Sequence, residues 1–179
     1  GRLEKNKGFS TVIKAIGILK EMKINVSLEI YGEGPDESQL RNQIIELELL
    51  NEITIFAPLE HRALLARIAK VDVVVVPSIF PEGFGLIAAE ALSIGVFCIA
   101  SNVGGLNEVI EDGEDGILVP PGDFKELASA LRRSFEDKEL HSRISKGAKL
   151  SAEKAFKVSD MAEKLYCLYD EVLKESRNE

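Results

Sequence analysis

An almost unbroken run of β-branched residues occupies positions 71 to 77, Val-Asp-Val-Val-Val-Val-Pro. A run of this kind is typical of a strand buried on both faces, and such strands belong to parallel sheets covered by helices. The segments on either side alternate between helical and strand periodicity. These repeated βα units predict an α/β fold, a doubly wound parallel sheet with right-handed crossovers and with further helices at the C-terminal end.

Apolar spacing places the other elements around this central strand. Upstream it predicts a helix over 8–22, a strand over 26–31, a helix opened by Pro35, a strand beginning at Ile53 and a helix around 64–68. Downstream it predicts a helix from about residue 85, a strand over 96–100, a short helix over 106–110 and a strand over 117–119. From Asp123, a predicted helix N-cap, the pattern is helical to residue 174, with breaks near Asp137 and Ser159.

The chain of 179 residues is 45% hydrophobic and 29% charged, with a formal net charge of −8. These values are typical of one globular domain. The acidic balance argues against nucleic acid as a partner, because nucleic-acid affinity depends on clustered basic side chains. The longest apolar run is interrupted by Glu90 and is too short to cross a membrane, so we expect a cytoplasmic protein without a transmembrane segment.

The cysteines and histidines indicate no special chemistry. Cys98 and Cys167 both lie in apolar stretches and are interpreted as inert core residues. His61 and His141 stand alone in the sequence, which gives little support for a zinc site. We therefore expect no metal.

The loop after the valine-rich strand, residues 77–85, reads Pro-Ser-Ile-Phe-Pro-Glu-Gly-Phe-Gly. Ligands of open α/β sheets bind beyond the carboxyl ends of the strands, so this loop is the first candidate site. Its glycines allow close approach of the backbone, and the following helix presents unpaired N–H groups and a positive dipole end, which together favour a phosphate.

Glu90 is the only charged residue between positions 83 and 100. A carboxylate on so apolar a helix requires hydrogen-bond partners, which the hydroxyl groups of a ligand would supply. A simpler interpretation stays open for each glutamate. The first is that Glu90 lies on a solvent-exposed strip of the helix, and the second is that Glu82 is an ordinary solvated carboxylate of the loop.

Residues 83–88, Gly-Phe-Gly-Leu-Ile-Ala, also satisfy the G-x-G-x-x-A fingerprint of dinucleotide sites. That fingerprint requires a tight turn directly after the first strand and an acidic residue at the end of the second. Here a longer loop intervenes and the next strand ends near Asn102, so an NAD-dependent oxidoreductase is disfavoured. A response-regulator type of domain is disfavoured because no acidic cluster follows the first strand.

Motifs along essentially the whole chain resemble the retaining glycosyltransferases of the GT-B fold, specifically the "group 1" family GT4. Glu82 and Glu90 match the E-x7-E signature of that family. The other matching segments are Gly1-Arg2-Leu3 with Lys7-Gly8, residues 31–35 (Y-G-E-G-P), 77–85, 103–109 (V-G-G-L-N-E-V) and 112–123, which contain D-G, G-I-L-V and P-G-D. The resemblance implies that residues 1–179 form the single, Rossmann-like, nucleotide-sugar-binding C-terminal domain of a two-domain enzyme, whose acceptor-binding N-terminal domain is absent from this chain.

The resemblance also implies a role for each matching residue. Arg2 and Lys7 would bind the donor diphosphate, and Glu82 would contact the donor sugar near the transferring carbon and stabilise positive charge. Glu90 would accept hydrogen bonds from the ribose hydroxyls. Further contacts with the donor are expected from Gly83, Phe84, Gly85, Leu86, Gly32 and Leu59.

The implied activity is transfer of a hexose from a UDP-, GDP- or ADP-sugar to an unknown acceptor, with retention at the anomeric carbon and without a metal or cofactor. The implied partners are the nucleotide-sugar donor and the N-terminal domain of the same protein. Peripheral membrane association of the full-length enzyme fits a role in polysaccharide or glycolipid biosynthesis. The domain alone is expected to be inactive, since half of its cleft is missing. The alternative is a non-catalytic nucleotide-binding or assembly module of the same fold.

Overall fold

The computed structural model describes residues 1–155 and 158–175. The strands are β1 (Leu28–Tyr31), β2 (Ile53–Phe56), β3 (Val73–Val76), β4 (Phe97–Ser101) and β5 (Ile117–Val119). The helices are α1 (Phe9–Glu21), α2 (Glu37–Glu46), α3 (His61–Ile68), α4 (Leu86–Ile94), α5 (Leu106–Val109), α6 (Phe124–Glu136), α7 (Lys138–Ala155) and α8 (Val158–Glu175). This alternation of strands and helices confirms the predicted α/β class.

All pairings between the strands are parallel, as the valine-rich run predicts. β1 pairs with β2, and separately β3 pairs with β4 and β4 with β5. The described residues thus form two parallel sheets. β1 and β3 are the facing edges of these sheets, and residues of both strands line one cavity between them.

Helices cover both faces of the sheets, and β4 shows how the sequence directs this. Its alternate residues Phe97 and Ile99 are buried in one apolar cluster with α1 and α6. Cys98 and Ala100 point the other way into a second cluster with α4 and α7. A strand whose side chains are buried on both faces has no polar alternation, and this is why its sequence reads as continuously apolar.

Two helix starts follow from their capping residues. Asp123 accepts hydrogen bonds from the backbone N–H groups of Lys125 and Glu126, which confirms it as the N-cap of α6. Asp137 separates α6 from α7 and accepts a hydrogen bond from the N–H of Leu140 at 2.9 Å. α2 begins two residues after the predicted Pro35, because Pro35 and Asp36 form a turn before the first helical residue.

The prediction for the cysteines is half right. Cys98 is fully buried, and burial together with the nearby Asp115 carboxylate raises the pKa of its thiol to about 12. Cys167 is exposed on α8, so its interpretation as a core residue is wrong. Its apolar neighbours Leu165 and Leu168 are also about half exposed, and for that reason the apolar stretch did not indicate burial. No helix in the described parts of the chain has the length and hydropathy to cross a membrane.

Candidate functional site

A cavity of about 840 Å³ runs between β1 and β3 and reaches the loop that follows β3. Apolar side chains of both strands form part of its wall, but charged side chains line it in two regions. One region contains Glu29 of β1, which accepts from Arg67 at 2.6 Å, and the other lies beyond the carboxyl ends of the strands. The lining residues at that end are Lys7, His61, Ser78, Glu82, Phe84, Gly85, Leu86 and Glu90. The second of these charged regions coincides with the edge of the sheet where open α/β folds bind ligands.

Glu82 is held from two sides in the loop after β3. Lys7 Nζ donates to Glu82 Oε1 at 2.7 Å, and the buried hydroxyl of Ser78 donates to the same oxygen. Burial opposes ionisation of Glu82, but the hydrogen bonds from Lys7 and Ser78 outweigh it and lower the pKa of the carboxyl from its ordinary value. Glu82 is therefore a fixed carboxylate beside a lysine ammonium group.

A second loop, which contains Gly104 and Gly105, supports the loop that carries Glu82. The N–H of Gly105 donates to the carbonyl oxygen of Glu82 at 2.8 Å. A Cβ atom at Gly105 would collide with the carbonyl group of Gly83, and Gly104 has a positive φ of 51° with Glu82 backbone atoms close by. The two glycines are thus required because backbone packs directly on backbone.

The segment before α1 is fastened to the same loop. The N–H of Ile79 donates to the carbonyl oxygen of Asn6 at 2.8 Å. Gly8 has a φ of 69° and lies against the carbonyl group of Pro77, where a side chain would not fit. These contacts bring Lys7 to Glu82 across 75 positions of sequence.

The start of α4 forms another wall of the site. Gly85 occupies the N-cap position with a left-handed φ of 86°, and Leu86 is the first helical residue. The first N–H groups of a helix have no partner within it and carry the positive end of its dipole. Phe84 and Leu86 expose 46% and 67% of their surface, so this helix start is open to a ligand.

Glu90 lies one turn further along α4, and its two carboxylate oxygens differ. Oε1 is 2.7 Å from Nε2 of His61, the first residue of α3. Oε2 is buried and has no hydrogen-bond partner among the described residues. A buried carboxylate oxygen without a partner is costly, and it marks a place where a donor from a ligand would be stabilising.

Six of the predicted site residues line the cavity together: Lys7, Glu82, Phe84, Gly85, Leu86 and Glu90. Four other predicted residues do not line it. The side chain of Arg2 is 76% exposed and pairs with Glu4 at 2.6 Å. Gly32 donates its N–H to Phe56 and is packed against Gly1, and Leu59 is 38% exposed. Gly83 lies with its carbonyl group against Gly105.

Two residues of the site were missed in the sequence. Ser78 holds Glu82, and its position directly after the buried strand and four residues before Glu82 was an available signal. His61 holds Glu90, and its signal was the helix start that follows the carboxyl end of β2, at the same edge as the loop. Within the described part of the chain, no three His, Cys, Asp or Glu side chains are grouped so as to hold a metal ion.

Comparison with known proteins identifies the kind of domain that carries this site. A family model described as glycosyl transferases group 1 matches residues 1–151. The chain belongs to this family. Over 149 residues, this group 1 glycosyl transferase domain is 34% identical to a Mycobacterium tuberculosis protein named glycogen synthase, with 83% of the chain and 36% of the relative covered. It is 30% identical over 172 residues to the alpha-D-kanosaminyltransferase of Streptomyces kanamyceticus, with 96% of the chain and 44% of the relative covered.

The structure of this domain superposes on parts of several solved structures. A structure of Anabaena HepE in complex with UDP superposes with a TM-score of 0.86 at 26% identity, covering 96% of this chain and 47% of that one. The C-terminal domain of a group 1 family protein from Francisella tularensis superposes with a TM-score of 0.80 at 26% identity, covering 88% and 84%. The chain is therefore the Rossmann-like C-terminal domain of a GT-B enzyme, and it spans less than half the length of the curated relatives described above.

Proposed function

We propose that this domain binds the nucleoside-diphosphate-sugar donor of a retaining hexosyltransferase. The observation that carries the proposal is the buried, unpartnered Oε2 of Glu90 beside the open start of α4. An acceptor oxygen next to a cluster of backbone N–H donors matches a ribose hydroxyl next to a diphosphate. The UDP complex of HepE, which shares this fold, supports the same class of ligand.

The charged groups at the mouth of the cavity suit a departing diphosphate. Lys7 and the N–H groups at the start of α4 supply positive charge without a metal ion. In the free domain Lys7 is paired with Glu82. A bound diphosphate would compete for the lysine and release Glu82 toward the donor sugar. Arg2 would contribute by turning away from Glu4, with which it is paired at the surface.

In the proposed reaction the bond between the anomeric carbon and the phosphate oxygen breaks while the bond to the acceptor oxygen forms on the same face of the sugar. The proton of the acceptor hydroxyl passes to the departing phosphate oxygen. Glu82, held as a carboxylate, would stabilise the positive charge that develops on the sugar ring. The acceptor would be bound by a second domain, so we expect little transfer by this domain alone.

The test is isothermal titration of the folded domain with UDP, GDP and ADP in the presence of a metal chelator. We expect one of the three to bind, and we expect Glu90→Gln to weaken its affinity about five- to tenfold, because replacing a charged acceptor by a neutral one costs about 1–1.5 kcal/mol. Glu46→Gln is the matched control, since Glu46 is exposed on α2 and does not line the cavity. Failure of all three nucleotides to bind the folded protein would contradict the proposal.

Transfer itself is tested in the full-length enzyme with the sugar derivative of the nucleotide that binds. Binding combined with transfer of label from the donor supports a catalytic domain. Binding with neither transfer nor donor hydrolysis would instead support the non-catalytic module.

A further inference from the structure

His61 is placed to control the orientation of Glu90. It begins α3, immediately after the loop that follows β2, and its Nε2 atom reaches across to Glu90 Oε1 at 2.7 Å. The side chain of His61 is 68% exposed, whereas that of Glu90 is 21% exposed. His61 therefore contributes little to the core, and its side chain makes a polar contact with the carboxylate of Glu90.

The contact divides the carboxylate of Glu90 into two unequal oxygens. Oε1 accepts from an imidazole N–H in either the neutral Nε2–H tautomer or the protonated ring, while Oε2 stays buried without a partner among the described residues. A glutamate side chain has several rotatable bonds, and fixing them before a ligand arrives removes an ordering cost from binding. The imidazole supplies that fixation from outside α4.

We propose that His61 is a positioning residue for recognition of the ribose, acting through Glu90. By holding Oε1 it fixes Oε2 in the direction from which a ribose hydroxyl donates. This inference rests on the proposed function, since it concerns the same nucleotide. It goes beyond the proposed function because it assigns the selectivity for a ribose to a residue on α3 that itself contacts no hydroxyl group of the ribose.

The experiment measures the affinities of UDP, GDP and ADP, and of their 2′,3′-dideoxy counterparts, for wild type, His61→Ala and His61→Gln. We expect His61→Ala to weaken binding of the ribonucleotide about three- to tenfold, comparable with the cost of ordering one flexible side chain. His61→Gln retains an N–H donor at the end of its side chain and is expected to restore most of the affinity. The affinity of the dideoxy compound should be the same in all three proteins, because it has no hydroxyl for Glu90 to bind.

The controls separate this inference from the proposed function. Arg62→Ala removes a neighbouring exposed side chain of α3 that does not line the cavity, and it should leave all affinities unchanged. Two results would contradict the positioning role while the proposed function stands, provided that wild type binds a ribonucleotide. In the first, His61→Ala binds the ribonucleotide as tightly as wild type or more tightly. In the second, His61→Ala loses affinity for the ribonucleotide and for its dideoxy counterpart to the same extent. If wild type binds none of the six compounds, both fail together.

Discussion

At the scale of single residues, the pair formed by Lys7 and Glu82 links the start of the chain to the loop after β3. We expect Lys7→Met to destabilise the domain by about 0.5–1 kcal/mol at pH 7, a value kept small because the lysine side chain is 35% exposed and its interaction is screened by solvent. The variant leaves Glu82 largely buried with Ser78 as its hydroxyl donor but without the ammonium group.

The pH dependence of this effect has a definite sign. The folded-state pKa of Glu82 is lowered, so the stabilisation is fully present above the unfolded pKa of about 4.3 and is lost as the pH falls through the lower folded value. Urea unfolding of wild type and Lys7→Met should therefore differ at pH 7, and the difference should shrink as the pH falls below the unfolded pKa and through the lower folded pKa of Glu82. Lys5→Met, an exposed neighbour, is the control, and a difference that stays equal as the pH falls would contradict the role of the carboxylate.

At this scale, a pair of site residues could be predicted from the sequence only when the two residues are close together along the chain. Glu82 and Glu90 were identifiable together because eight positions and one helix start separate them. The contacts of Lys7 with Glu82 and of His61 with Glu90 span 75 and 29 positions, and local spacing carries no information about such pairs.

At the scale of the secondary-structure elements, the cap of α6 gives a direct test. Asp123 Oδ1 accepts from the N–H groups of Lys125 and Glu126 at 3.0 and 3.1 Å, satisfying two groups that otherwise lack partners. We expect Asp123→Ala to lower the free energy of unfolding by about 1 kcal/mol and Asp123→Asn to lower it by only a few tenths, because asparagine is an equally good N-cap. Thermal unfolding checks the ranking, and equal losses in the two variants would show that the cap does not contribute.

Element boundaries were predicted well where a local signal exists. Asp123 and Asp137 mark helix starts that depend on residues within one turn, and strand β5 over Ile117–Val119 matches the predicted range. The contrast is Cys167, because an apolar spacing within one helix does not say whether another element covers that face.

At the scale of the whole molecule, the cavity between β1 and β3 leads us to expect that the backbone amides differ in their protection from hydrogen exchange. The N–H groups of Leu28 and Gly32 donate to the carbonyl oxygens of Glu52, just before β2, and Phe56, at the end of β2. The alternation of a parallel ladder therefore directs the N–H groups of Glu29 and Tyr31 to the opposite side, toward the cavity. We expect the amides of Glu29 and Tyr31 to exchange with solvent faster than that of Ile30. Amides of β4, which has a strand on each side, should be the slowest.

Amide exchange followed by NMR at neutral pH distinguishes the residues one by one. Uniformly slow exchange along β1 would mean that its outer edge is paired. The parallel α/β class was predictable from strand composition, but the division into two sheets was not, because the composition of a strand does not reveal which neighbours it has.

The side chains of the site come from both halves of the domain. Lys7 and His61 belong to the half that contains β1, whereas Glu82 and Glu90 belong to the half that contains β3. Each of the two contacts therefore joins one half to the other, so that a ligand engaging Lys7 or Glu90 touches both halves at once.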